Sequence, residues 1–135
     1  MIQLTKSGEY GMRAISFLVA HGYGNMARIG QISKAKGIPE PFLRKLFKPL
    51  VAANIIETTR GVAGGVRLKR EPSEITILEV VEALEGPISL NECLINSGSC
   101  AYKLDCGMHD VWRLAQDAID QVLTQHDITH LLKSH

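Results

Sequence analysis

From Tyr10 to Leu50 apolar residues return every three or four positions, and glycine or proline breaks the pattern twice. In "TKSGEYGMRAISFLVAHG", Tyr10, Ala14, Phe17 and Leu18 share one face, which predicts a helix ending near Gly22 and Gly24. "ARIGQISKAKGI" predicts a short helix with Ile29 and Ile32 inward, stopped by Gly37. "PEPFLRKLFKPLVAANII" sets Phe42, Leu46, Phe47 and Leu50 at helical spacing, begun by Pro39 or Pro41, where a missing N–H costs nothing. Pro49 removes a backbone bond to the Lys45 carbonyl and is expected to bend or end that helix. Asn54 stands where a left-handed residue closes a helix.

The period then changes. "IIETT" and "GVRLK" are β-prone runs around "RGVAG", which predicts a hairpin. "TILEVVEALEG" opens with a capping box, Thr76 with Glu79, and stops at Gly86–Pro87. In "HDVWRLAQDAIDQVLTQH", Val111, Leu114, Ala115, Ala118, Val122 and Leu123 form one apolar stripe. A short helix, a glycine-containing turn, a second helix and a hairpin make a winged helix-turn-helix. The expected fold is therefore mostly α with a small β-wing: a winged helix-turn-helix domain over 1–72 and a long C-terminal helix within 73–135. That helix is expected to pack on a second copy, giving a homodimer.

At 135 residues the chain forms one domain, or one domain with an appended element. A net charge of +1 conceals a division. Residues 1–70 hold twelve Lys or Arg against Glu9, Glu40 and Glu57, a net of +9. Residues 71–135 hold three against eleven acids, a net of −8. A basic first half suits a polyanionic partner.

Recognition helices meet the major groove with exposed N-terminal residues, while wings and helix ends bind phosphates. Between the apolar positions of the second helix, Glu40, Arg44, Lys45 and Lys48 remain outward. Arg44 can fork onto guanine and Glu40 can accept from cytosine. Arg60 and Arg67 flank the glycine-rich tip and suit a narrow minor groove. Arg28 is counted with them as a DNA contact. The plainer alternative is a solvated basic face. A nucleotide-cradling loop fits less well, because "RGVAGGVRL" lacks a Gly-Lys-Ser/Thr ending and opens no helix.

All three cysteines, Cys93, Cys100 and Cys106, lie in "CLINSGSCAYKLDCGMH", with His109 three residues after the last. The start of the chain has no signal-peptide pattern and no apolar run reaches the ~20 residues of a membrane span, so a reducing cytoplasm is expected. There, clustered thiols read as metal ligands or redox groups before disulfides. A Cys₃His zinc site is possible chemistry, although the usual tight C-x₂₋₄-C knuckle is absent. A thiol–disulfide switch needs only two of the cysteines. A catalytic cysteine lacks a matching base elsewhere, and no enzyme is expected. Soft thiolates with one histidine also suit an iron–sulfur cluster.

"LTKSGEYGMRAISFLVA", "GIPEPFLRKLF", "RGVAGGVRL", "ITILEVVEALEGP" and the cysteine stretch follow in the order and spacing of one family. Over nearly its whole length the chain resembles the IscR- and NsrR-type winged-helix regulators, bacterial dimers that bind an iron–sulfur cluster. The resemblance implies a homodimeric repressor that reads a pseudo-palindromic operator in duplex DNA and senses iron, redox or nitric oxide status. It makes 73–135 the cluster-binding loop and dimerisation helices. Members like IscR place a histidine three residues after the third cysteine, which implies Cys93, Cys100, Cys106 and His109 as ligands of a 2Fe-2S cluster, with Trp112 matching the pattern. Members like NsrR take an acidic ligand from the first helix of the partner subunit, a place held by Glu9, for a 4Fe-4S cluster. The two-iron form with His109 is preferred. The first cysteine gap is six residues here and five in IscR-like loops, which bears on cluster type. The rival of another class is a redox carrier or cluster-transfer protein, and a zinc or thiol-switch regulator would use the same cysteines.

Overall fold

A computed structural model describes residues 4–62, 64–89 and 107–132. Cys93, Cys100 and Cys106 lie outside the described residues. Among the described residues, five α-helices and one hairpin follow in chain order: α1 (Lys6–His21), α2 (Ile29–Lys36), α3 (Glu40–Ala52), β1 (Ile56–Thr59), β2 (Gly65–Leu68), α4 (Ile77–Glu85) and α5 (Gly107–Gln125). Short 3-10 turns cover Pro72–Glu74 and Ile128–Leu132. This is the expected winged helix-turn-helix with a long C-terminal helix.

The helix boundaries follow local chemistry. Thr5 caps α1 by accepting from the Gly8 N–H at 3.3 Å. Gly37 closes α2 at φ 66°. Asn54 ends α3 at φ 61°, with Ile55 N–H donating to the Leu50 carbonyl and Asn54 N–H to the Val51 carbonyl, each at 3.0 Å. These are the two bonds of a Schellman close. Of the two outcomes expected at Pro49, a bend or an end, the helix does not end there: α3 runs on to Ala52, and Ala53 N–H donates to the Pro49 carbonyl at 3.0 Å. One missing donor so near the C-terminus is outweighed by those closing bonds and by the full burial of Leu50. Thr76 and Glu79 form the expected capping box at the head of α4.

A single core draws Ala14, Ile15 and Leu18 from α1, Ile32 from α2, and Leu43, Leu46, Phe47 and Leu50 from α3. The hairpin adds Ile56, Val66 and Leu68, and later residues Ile75, Val80 and Ile128 join the same cluster. The inward face of α1 is Gly8, Gly11, Ala14, Ile15, Leu18 and Val19. Tyr10 and Phe17, expected on it, are only half-buried at its edge. Apolar periodicity overlooks Gly8 and Gly11 because what they bury is the contact made by their missing side chains. Met108 is half exposed on α5.

The strands pair antiparallel, with Ile56 opposite Leu68 and Thr59 opposite Gly65. Ala27 adds a one-residue third strand, exchanging hydrogen bonds of 2.8 and 2.7 Å with Val66. The wing is thus seated against the segment that enters α2.

Candidate nucleic-acid interface

Between α2, α3 and the wing lies a groove of about 1150 Å³. One wall is the first turn of α2 with Arg28, Gly30 and Gln31, the helix end whose free N–H groups favour anions. The floor is the outer face of α3, with Glu40, Arg44, Lys48 and Val51 at successive turns. The far wall is the hairpin, with Thr58, Thr59, Arg60, Gly61, Gly64 and Gly65. Arg28, Arg44, Lys48 and Arg60 thus face this concavity against one carboxylate, Glu40.

The side chains are not equally available. Arg44 pairs with Glu40 at 3.1 Å across one helical turn, both being largely exposed. Such a pair contributes little and opens readily to a stronger ligand. Arg28 reaches over the groove wall and donates to the Val62 carbonyl at the wing tip at 2.5 Å. Its own N–H donates to the Gln31 side chain at 3.4 Å. Arg28 therefore holds the wing as well as contributing charge. Arg60 and Lys48 are exposed and have no ion pair among the described residues.

Two expected contacts lie elsewhere. Arg67 is outside the groove lining and pairs with Glu57 at 2.5 Å, directly across the β1–β2 register. Lys45 follows Arg44 by one residue, a rotation that takes it out of the groove and onto the side of α3 that carries Phe42. Sequence reading missed Gln31, Thr58 and Thr59. The threonines carry a signal, since β1 alternates inward only at its first residue and leaves its tip polar.

Glycine makes the wing possible. A Cβ on Gly64 would stand 2.1 Å from the Thr59 carbonyl oxygen, and one on Gly65 2.2 Å from the Ala27 oxygen. Gly65 also has φ 153°, which side-chain-bearing residues rarely adopt.

Of the proposed cluster ligands, two are described. His109 is half-buried in the first turn of α5, and Glu9 is exposed on α1. Among the described residues no three His, Cys, Asp or Glu gather as a metal site. No described helix is long and apolar enough to cross a membrane.

A helix-turn-helix with a cation-lined groove under a wing is the geometry of a DNA reader. The chain matches the Rrf2 family, described as iron-dependent transcriptional regulators, over residues 4–134. It belongs to that family. It is 37% identical to protein aau3 of Rhizobium meliloti over 98% of this chain and 86% of that one. It is 32% identical to the HTH-type transcriptional regulator NsrR of Bacillus subtilis, over 98% and 92%. The solved structure of CymR, the global cysteine regulator of B. subtilis, superposes with a TM-score of 0.79 at 27% identity, over 98% and 97%. As an Rrf2 protein, the chain is a DNA-binding transcription regulator and not an enzyme. The redox-carrier alternative falls with that.

Proposed function

We propose that this Rrf2 protein is a cytoplasmic homodimeric repressor whose two α3–wing grooves bind a pseudo-palindromic operator in duplex DNA. Residues 1–72 do the reading. Residues 73–135 hold a sensing group and the dimer contact, a division of labour rather than of packing, since one core crosses residue 72. The observation that carries the reading is the groove itself, whose four cations converge from α2, α3 and the wing. Dimerisation is supported by α5, where Val111, Leu114 and Val122 are each more than half exposed along one stripe with Ala118.

The donor set fits an iron–sulfur cluster: three soft thiolates, Cys93, Cys100 and Cys106, with the imidazole of His109 beyond them. We favour a 2Fe-2S cluster on these four over a 4Fe-4S cluster completed by Glu9 of the partner subunit. When bound, such a cluster supplies a group that responds to iron supply, redox state or nitric oxide. The protein's own part is to place the imidazole: α5 fixes His109 in its first turn, with half-buried Trp112 one turn on. The description of the family as iron-dependent supports this reading.

A second reading has its own support. The likeness to a global cysteine regulator favours a thiol switch among the same cysteines. Anaerobic purification with iron and acid-labile sulfide analysis and a visible spectrum separates the two. Two irons and two sulfides per protomer are expected. Metal-free protein whose DNA affinity follows reversible thiol oxidation would replace the cluster by the switch.

A further inference from the structure

The recognition helix has a second flank. Opposite the wing, α3 presents Phe42 in its first turn and Lys45 one turn later. Phe42 meets Tyr10 of α1 edge to face, with ring centroids 5.3 Å apart and planes at 89°. Two cations gather on the same Tyr10 ring: the Lys6 ammonium at 5.6 Å and the Arg13 guanidinium at 5.3 Å from its centroid. Tyr10 is half-buried, whereas Lys6 and Arg13 are exposed.

Neither cation has an ion-pair partner among the described residues. Glu9, the one carboxylate of α1, lies between them in sequence and pairs with neither. The ring holds both cations beside the end of α3 that enters the groove and leaves their hydrogen-bond donors open. Cation–π contact orients a charge without neutralising it.

We propose that Lys6 and Arg13, with Lys45, form a second phosphate-binding strip along α3, on the side away from the wing. A helix lying in the major groove has a sugar–phosphate backbone on each side of it. The wing and Arg60 serve one backbone, and the α1 strip serves the other. Continuity with α3 and opposite charge select duplex DNA as the occupant. The inference rests on the DNA-binding reading and adds a part of the surface that does not line the groove.

Phosphate contacts are blind to sequence, so the test needs no operator. Binding to a 40-base-pair mixed-sequence duplex is followed by fluorescence anisotropy across a potassium chloride series. Wild type is compared with Lys6→Gln/Arg13→Gln, and with Arg60→Gln as the variant on the wing side. Each lost phosphate contact lowers the slope of log affinity against log salt by about 0.9 in magnitude. The double variant should lose about 1.8 per bound protomer. Between 50 and 200 mM salt its affinity then falls about twelve-fold less than that of wild type.

A charge-preserving Lys6→Arg/Arg13→Lys variant should keep the wild-type slope, and the melting temperatures of all four proteins should agree closely. If Arg60→Gln flattens the slope while Lys6→Gln/Arg13→Gln leaves it unchanged, the strip is refuted and the wing reading stands. If the wild type shows no salt-dependent binding, the DNA-binding reading fails with it.

Discussion

Replacing Gly65 by alanine should unseat the wing, and the cost can be worked out from two separate terms. The new Cβ would lie 2.2 Å from the Ala27 carbonyl oxygen, a backbone atom that no rotamer change can move away. Relief requires parting Ala27 from Val66 and so losing the bonds of 2.8 and 2.7 Å between them. Two such bonds contribute about 1–3 kcal/mol net. Holding alanine at φ 153° adds about 1–3 kcal/mol, and the stiffer unfolded chain returns about 0.4–1 kcal/mol. The sum is about 3 kcal/mol, or about 10 °C in melting temperature for a domain of this size. Gly61 provides the control. It too has positive φ, 106°, but nothing stands within 4 Å of its Cβ position, so Gly61→Ala carries only the backbone term, about 1 kcal/mol. Urea unfolding of both variants reads the difference, and duplex binding should weaken far more in Gly65→Ala. If the two variants agree within about 0.5 kcal/mol, the close approach of the wing to Ala27 contributes nothing.

Arg44→Ala should relax preference at one base pair per half-site, worth about 1–3 kcal/mol if its fork reaches a guanine once the Glu40 pair opens. Competition with single-substitution duplexes measures it, and a uniform loss across sequences would make Arg44 a phosphate contact instead. Iron per protomer, measured anaerobically, should collapse in His109→Ala and hold in Glu9→Ala; the reverse pattern would assign the fourth ligand to Glu9 of the partner subunit. Burial raises the Glu79 pKa, but hydrogen bonds from Thr76 and the Arg70 guanidinium at 2.8 Å lower it more, leaving it below the ordinary value of 4.5. Its stabilisation is then complete above the unfolded-state pKa and is lost as pH falls through the lower folded value. Glu79→Gln should flatten the fall in melting temperature between about pH 5 and pH 3, and an unchanged profile would remove Glu79 as a source of acid sensitivity.

What was legible in the sequence was local. Gly37, Asn54 and the Thr76–Glu79 box each act within a few residues, and each ends or begins its helix as its chemistry requires. The groove was legible in its residue types and not in its pairings. Arg28 looked like another free cation, yet it bonds the carbonyl of Val62, thirty-four residues on, and only the folded wing brings that atom within reach. Arg67 and Glu57 were both visible, and counting outward from the glycine turn sets them opposite, so this pair could have been found from the hairpin register. Lys45 was displaced by helical geometry alone: one residue is a rotation of about 100°, enough to carry it from the groove to the other flank. The cysteine stretch announced its chemistry through spacing and composition, which say which atoms can bind and nothing of where they stand.

The place of α1 links the second half, where the sensing group is proposed, to the first half, where DNA reading is proposed. Gly8 and Gly11 lie one turn apart on its inner face, and the end of α4 presses into the space they leave. A Cβ on Gly8 would stand 2.2 Å from the Glu85 carboxylate, and one on Gly11 2.4 Å from the Leu84 side chain. Glu85 in turn accepts from the Thr5 N–H at 2.9 Å and the Thr5 hydroxyl at 2.7 Å. A carboxylate is disfavoured at the C-terminal end of its own helix and favoured at the N-terminal end of another, so its electrostatic support comes from α1 rather than α4. Gly86 and Pro87 follow at once, and the chain runs on to Cys93. On its other side α1 meets α3 through Tyr10 and Phe42, while Ala14, Ile15 and Leu18 share a core with Leu43, Leu46 and Leu50. Close-packed interiors shift as units and do not absorb displacement. A carboxylate and two glycine contacts thus join the end of α4 to the first two turns of α1, and packed side chains join α1 to α3.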